Sequence, residues 1–259
     1  MADPPQSAPL TLPSVAYGLY AWVLFVALAA AVVPLLLLTP GLSRRRALVR
    51  AVGRSVLKLT GMRVRVRGLE RVAAPCVVVA NHTSYLDGVV LQAVLPPSFS
   101  FVIKREMSAV PLAGTLLRRI GAEFVERQDR LRGARDARRL LRNALRGQAL
   151  VFFPEGTFSA EIGLLRFHIG AFAAAARADL PVVPIAIRGT RACLPPDRFL
   201  PHPGRIEVEV LAAIDEPQPN LGAHESDRAA RLRNAARAAL LAALGEPDLA
   251  APGADARRA

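Results

Sequence analysis

The sequence predicts an α/β fold: a mixed, largely parallel central sheet flanked by helices, preceded by an N-terminal hydrophobic and amphipathic helix pair suited to membrane docking. Three observations predict it. After Gly61, short apolar runs alternate with helical stretches. Three of those runs, Cys76–Ala80, Leu150–Phe153 and Val182–Ile187, are apolar without alternation, as strands covered on both faces are. Ahead of them, Val15–Leu38 reads VAYGLYAWVLFVALAAAVVPLLLL with no charge at all. The 259 residues suffice for one α/β domain and an accessory segment.

As helix, the apolar run would be about 36 Å long, more than the ~30 Å hydrocarbon core of a bilayer. Tyr17, Tyr20 and Trp22 gather at its front end, where amphipathic rings favour the lipid boundary. Arg44, Arg45 and Arg46 follow its far end, which puts the rest of the chain in the cytoplasm by the positive-inside bias. No basic region precedes the run and no cleavage site closes it, against a signal peptide. Pro34 would kink a continuous helix, so a hairpin lying in one leaflet stays open beside a span. Residues 43–60 place Leu48, Val49, Val52, Val56 and Leu59 at helical spacing, with Arg46, Arg50, Arg54 and Lys58 four apart on another face. The expectation is a basic helix with its cations toward anionic lipid; an ordinary helix packed on the domain is the alternative. The expected organisation is a disordered residue 1–14 segment, a membrane-anchoring module over 15–60, a catalytic domain over 61–245 and a disordered tail over 246–259. The expected location is the inner membrane of the cell, with the domain on its cytoplasmic face.

Candidate strands within the domain are 63–67, 75–80, 99–103, 121–126, 149–153, 182–188 and 205–211; candidate helices are 88–95, 111–119, 129–147, 170–178 and 224–244. The mean hydropathy of +0.29 and 52% hydrophobic side chains exclude disorder of the whole chain. Lys58 and Lys104 are the only lysines among 34 basic residues, and the net charge is +13. Such a surface attracts polyanions, either nucleic acid or anionic headgroups. Cys76 and Cys193 lie in separate apolar runs, which excludes a disulfide framework, and the four scattered histidines suggest no metal site.

Function is expected where central strands end. The run APCVVVA leads directly into NHTSYLDG, so His82 and Asp87 fall at a strand-to-helix loop. Imidazole exchanges a proton near neutral pH, and a carboxylate can fix its tautomer. On one straight helix residues 82 and 87 would diverge by about 140°; a pair therefore needs His82 in the loop and Asp87 just inside the helix. A second strand exit carries FPEGTFS at 153–159, where Glu155 could accept hydrogen bonds from a polyol, Gly156 admits close approach and Thr157 offers a hydroxyl. A third, GAEFVER at 121–127, ends on Arg127, whose fork suits a phosphate. In each case a plain structural role remains the simpler alternative.

In this order the pieces resemble the glycerolipid acyltransferase family, which includes the bacterial lysophosphatidate acyltransferases. NHTSYLD is similar to the family's N-H-x4-D block, GAEFVER to G-x-x-F-x-x-R, FPEGT to its P-E-G block and VVPIAI at 182–187 to its V-P-V/I block; KREMSAVPLAG at 104–114 is similar to the linking segment. The resemblance covers about residues 60–215. It implies that His82 is the general base on an acceptor hydroxyl, oriented by Asp87. It also implies that Arg127 contacts the acceptor phosphate, that Glu155, Gly156 and Thr157 line the acceptor site, and that Lys104 adds charge there. The implied reaction moves a fatty acyl group from acyl-CoA or acyl carrier protein to a lysophospholipid, foremost 1-acylglycerol 3-phosphate, with no cofactor and no metal. The implied partners are that donor, the lysophospholipid and an anionic bilayer, with no nucleic acid.

Two positions depart from the family pattern. Where many relatives carry an arginine after P-E-G-T and a lysine after the next phenylalanine, this chain has Phe158 and His168, and Arg166 could replace one of the missing cations. The acceptor is therefore less fixed than the reaction, and an amino-acid lysolipid without phosphate is the alternative. Ser84 as a covalent nucleophile is a further rival. A membrane-tethered binder of anionic polymer or lipid, using Arg135, Arg139, Arg142 and Arg146, is the non-enzymatic one, although no aromatic residue interleaves those arginines.

Overall fold

The computed structural model of the chain describes residues 11–126, 130–215 and 225–250. Two long helices, α1 (Leu12–Leu38) and α2 (Leu42–Leu59), lead into β1 (Arg63–Arg67) and β2 (Val77–Ala80). Then follow α3 (Leu86–Val94), β3 (Phe99–Lys104), α4 (Ala113–Arg119), β4 (Glu123–Val125), α5 (Arg130–Leu145) and β5 (Ala149–Phe152). The chain continues through α6 (Gly170–Ala178), β6 (Val182–Arg188), the single turn α7 (Thr190–Cys193), β7 (Arg205–Val210) and α8 (Glu225–Leu244). The strands form one sheet in the order β1-β7-β6-β2-β5-β3-β4, parallel throughout except between β6 and β7. This is the mixed, largely parallel sheet that the unalternated apolar runs predict.

β2 lies mid-sheet, hydrogen-bonded to β6 on one side and β5 on the other. Its four residues are all buried because both faces are covered. Val78 and Ala80 join a core beneath α3, whereas Val77 and Val79 point to the opposite core with Phe172, Leu232 and Ala236 from α6 and α8. Fully burying a valine stabilises by roughly 1.5–3 kcal/mol. The exits of β2 and β5 are thereby fixed beside each other at the carboxyl edge of the sheet.

The N-terminal pair differs from its sequence expectation. Arg46, Arg50 and Arg54 face the domain rather than lipid. The buried Arg46 guanidinium donates to the carbonyls of Ile120 (2.8 Å), Ser98 (3.2 Å) and Pro97 (3.3 Å) and to the Ser100 hydroxyl. Arg50 donates to Val94 O at 2.7 Å and Arg54 to Ala93 O at 2.9 Å. These carbonyls close α3, where the orphan acceptors and the negative end of the helix dipole favour cations. Gly53 faces Ala93, and a Cβ there would meet that of Ala93 in ordinary contact at 3.4 Å. The i, i+4 arginine row is an inward-facing clamp, as in the packed-helix alternative.

α1 folds back along α2. The Tyr17 hydroxyl donates to Thr60 O at 2.5 Å, Tyr20 to Leu59 O at 3.1 Å, and the Trp22 indole to Phe199 O. At the other end, Val32 and Leu36 pack with Val49 and Ile120. The outward face stays apolar: Leu19, Val23, Val26 and Leu35 are 57%, 69%, 50% and 51% exposed. α1 is the one helix among the described residues long and apolar enough to cross a membrane.

Other boundaries shift. The first helix starts at Leu12 on a Thr11 cap, inside the segment expected to be disordered, while residues 1–10 lie outside the described residues. The 111–119 stretch forms helix from Ala113, after a 3-10 turn over Arg105–Ala109. Residues 246–250, expected in a disordered tail, are tied down: Asp248 pairs with Arg237 at 2.7 Å and bridges to Leu164. The remainder of that tail, 251–259, lies outside the described residues. The surrounding Ala, Pro and Gly content masks the contribution of Asp248, whose partner Arg237 lies 11 residues back within α8.

Candidate active site

The site is built where β2 ends. Asn81 extends the strand with its side chain, donating from Nδ2 to Ile187 O at 2.9 Å and accepting Ile187 N at Oδ1 at 2.7 Å. The chain then turns through His82, Thr83 and Ser84 into α3, and Asp87 falls in the first helical turn, where the dipole favours a negative charge. Asp87 is fully buried; its Oδ2 accepts the backbone N–H of Thr83 (2.6 Å) and Ser84 (2.9 Å) and lies 3.0 Å from His82 Nδ1. An oxygen already accepting two peptide N–H groups selects the tautomer with its proton on Nδ1, leaving the lone pair on Nε2. Loop placement of His82 and helical placement of Asp87 thus overcome the 140° divergence.

The His82 ring is held on its faces as well. It stacks on Phe153 with centroids 4.2 Å apart and meets Phe158 edge-on at 4.5 Å, and Tyr85 packs against Phe158 at 4.7 Å. With 19% of its side chain exposed, His82 keeps one edge open to an incoming group. Phe158 therefore occupies space beside the imidazole where the sequence pattern of relatives expects a cation.

Glu155 is brought to the same place from β5 but in a different role from an open polyol acceptor. It is buried; Oε1 accepts His82 N at 2.7 Å and Oε2 accepts Leu165 N at 2.9 Å. Burial pushes its carboxyl up to about 7, the two peptide N–H groups partly offset that rise, and Asp87 and Glu246 add to it. Gly156, with φ of 75°, turns the chain after it, a backbone region in which glycine carries no Cβ penalty.

Ser84, the rival nucleophile, is committed elsewhere: buried, it donates from Oγ to Leu194 O at 2.7 Å and accepts Leu86 N at 3.1 Å. Thr83 and Thr190 hydroxyls meet at 3.1 Å. The sequence places Asn81 at this loop but not its bonds to Ile187, and gives no sign of Thr190 and Leu194 as supports, because these partners lie more than 100 residues apart and leave no local pattern. Burial pushes the thiols of Cys76 and Cys193 up to about 12 and about 11, so both are poor nucleophiles.

Of the other sequence candidates, Thr157 is exposed on the same loop and Lys104 is exposed at the carboxyl end of β3. Arg127 lies outside the described residues. Next to Phe153, an apolar cavity of about 360 Å³ opens between α5 and α6, lined by Val102, Leu140, Phe152, Ala171 and Ala174, with His168 at its wall. Among the described residues no group of three or more His, Cys, Asp and Glu side chains is placed to hold a metal ion.

A largely parallel, doubly covered sheet with a histidine–carboxylate pair at its central strand exit defines the class of molecule, and comparison narrows it. Residues 63–188 match the family model described as Acyltransferase. A lyso-ornithine lipid O-acyltransferase of Pseudomonas aeruginosa is 35% identical over 193 residues, 68% of this chain and 72% of that protein. The chain belongs to the acyltransferase family. A 1-acyl-sn-glycerol-3-phosphate acyltransferase of Saccharomyces cerevisiae is 32% identical over 164 residues, 61% of this chain and 54% of that protein, so the chain spans about half the length of this curated relative. The crystal structure of the 1-acyl-sn-glycerophosphate (LPA) acyltransferase PlsC of Thermotoga maritima shares the fold, with a TM-score of 0.71 at 21% identity over 90% of this chain and 96% of that one.

Proposed function

We propose that the protein is an O-acyltransferase that moves a fatty acyl group from an acyl thioester, acyl-CoA or acyl carrier protein, to the hydroxyl of a lysophospholipid. The observation that carries this reading is His82 Nδ1 at 3.0 Å from a buried Asp87, at a central strand exit of an acyltransferase-family fold. An alcohol must shed its proton as it attacks. Nε2 of His82 takes that proton, the oxygen forms the new ester bond, the carbon–sulfur bond breaks, and the thiolate leaves with a proton returned by the imidazolium. Asp87 holds the tautomer and balances the charge as it forms on the ring. Ser84 is bonded to Leu194, so the transfer is direct, without an acyl-enzyme. The apolar cavity beside Phe153 suits an acyl chain.

For the acceptor, 1-acylglycerol 3-phosphate is supported by the activity named for the yeast relative. A phosphate-free amino-acid lysolipid is favoured by one observation, the aromatic Phe158 packed against His82, and by the activity named for the Pseudomonas relative. In either case the outward apolar face of α1 docks on the bilayer. Because α1 is tied to Thr60 and Phe199 at one end and packs on Ile120 at the other, it lies along the domain, which favours burial in one leaflet over a span. Arg44 and Arg45 after α1 would place the domain on the cytoplasmic face of the inner membrane were α1 to span; with α1 in one leaflet they supply cations for anionic headgroups.

The test offers purified protein a panel of lysolipids and glycerol 3-phosphate with both donor types and identifies the product by mass. Acylated lysophosphatidate supports the first acceptor, and an acylated amino-acid lysolipid the second. Thiol release and ester formation absent from every pair would reject the acyltransferase reading.

A further inference from the structure

Glu155 is 4% exposed, which closes its carboxylate to a substrate. Both of its oxygens accept peptide N–H groups, one at the turn that carries His82 and one at Leu165. Resting on the acyltransferase reading above, we propose that Glu155 is a positioning residue, which ties the His82 turn to the 164–168 loop and sets the imidazole through the backbone rather than binding the acceptor. The far end of the tie is itself anchored. Leu164 N donates to Pro247 O at 2.9 Å, and Leu249 N donates back to Leu164 O at 3.1 Å. Arg237 donates to the carbonyls of Leu164 (3.1 Å) and Leu165 (3.4 Å) while pairing with Asp248. His168 N also donates to Pro154 O at 2.8 Å, so the 164–168 loop is stitched to the β5 exit at Pro154 as well as at Glu155.

The bonds run in series. Asp248 holds Arg237, Arg237 holds the Leu164–Leu165 peptides, Leu165 N meets one Glu155 oxygen and His82 N meets the other. Asp87 fixes the ring from α3 and Glu155 fixes the backbone from β5, so two independent elements locate Nε2. A misplacement of about 1 Å in a reacting group can remove about 10²-fold of rate. Ionised, the carboxylate accepts both N–H groups; protonated, it keeps one good acceptor. The groups facing it are His82 and Asp87 from the α3 side, and from the C-terminal side Glu246, itself 3.5 Å from Arg191, with Arg237 across the Leu165 peptide. The tie fills in as pH rises through about 7, and one of its two bonds is lost as pH falls through that range.

The experiment compares wild type, Glu155→Gln and Asp248→Asn in full-length protein. It measures kcat and acceptor KM across pH, and amide hydrogen exchange over 81–86 and 164–168. Glutamine keeps one acceptor oxygen and loses the other. Expected for Glu155→Gln are a kcat loss of about 10- to 100-fold, an acceptor KM within about twofold of wild type, faster exchange in both segments, and an acid limb of kcat with one ionisation fewer. Asp248→Asn, the milder variant should Glu155→Gln not fold, is expected to show a kcat loss of about two- to tenfold with faster exchange first at 164–168. A raised acceptor KM with unchanged kcat in Glu155→Gln would make Glu155 an acceptor ligand and overturn the proposal, as would unchanged exchange over 81–86. If wild type transfers no acyl group, the proposed function fails while the exchange result still decides the tie.

Discussion

The strand-exit site and the N-terminal helix pair treat their side chains in opposite ways. At the site, Asn81, Ser84, Asp87 and Glu155 are buried polar groups, each engaged by a named donor or acceptor, and the ring they serve is open along one edge. On α1 the engaged face is small and the free face is apolar, with Leu19, Val23 and Val26 half exposed or more. The first arrangement supplies orientation, which fails when one bond is removed. The second supplies area, which fails gradually. Between them lies α2, which packs against α1 and whose arginines fasten it to the domain at the C-terminal end of α3, the end away from His82.

The largest expected effect tests the site. His82→Ala removes the base and should lower acyl transfer by 10²–10⁴-fold, with the protein still folded and vesicle binding unchanged; near-normal turnover in folded protein would end the mechanism. Next comes the seam. Arg46→Ala leaves the Ile120, Pro97 and Ser98 carbonyls without their donor and should destabilise by about 3 kcal/mol, read as a fall in melting temperature of roughly 10 °C. If the arginine row faced lipid instead, stability would hold and only binding to anionic vesicles would drop. On the free face of α1, Val23→Asp with Val26→Asp should leave melting unchanged while releasing much of the protein from vesicles in flotation. Retention of that double variant would show that another surface docks. The smallest effect concerns Phe158. Phe158→Arg places a cation beside His82 and should raise kcat/KM for a phosphate monoester acceptor relative to an amino-acid lysolipid by about tenfold; an unchanged ratio would mean that the headgroup is read elsewhere.

The same contrast explains what could be read in the sequence. Val77–Ala80, Ala149–Phe152 and Val182–Arg188 were legible because burial on both faces leaves a continuous apolar run. His82 and Asp87 were legible as a pair because they follow such a run with the spacing that a loop and a first helical turn require. Glu155 could be named as important but not assigned a role: its partners, His82 N and Leu165 N, are backbone atoms, which carry no sequence signature. The arginine row of α2 illustrates a deeper limit. A four-residue spacing establishes that Arg46, Arg50 and Arg54 share a face, but periodicity is identical for a face turned to headgroups and one turned to the carbonyls that end α3 and α4. The neighbouring helix that decides between them is absent from the local pattern.

The segment from Leu194 to Leu200 touches both halves of the molecule. Leu194 O accepts the Ser84 hydroxyl under the His82 turn, and five residues on, Phe199 O accepts the Trp22 indole. At the next residue, a Cβ on Gly18 would lie 2.8 Å from Leu200 Cδ2, so no larger side chain fits between α1 and this segment without displacing it. Depth follows from that coupling. With α1 and the turn that carries His82 hydrogen-bonded to opposite ends of one short segment, docking through α1 as proposed would set Nε2 at one height above the bilayer plane. On that proposal a lysolipid acceptor would have to lift its hydroxyl to that height, and two acceptors with the same headgroup charge but different distances from acyl chain to hydroxyl would be told apart by reach alone.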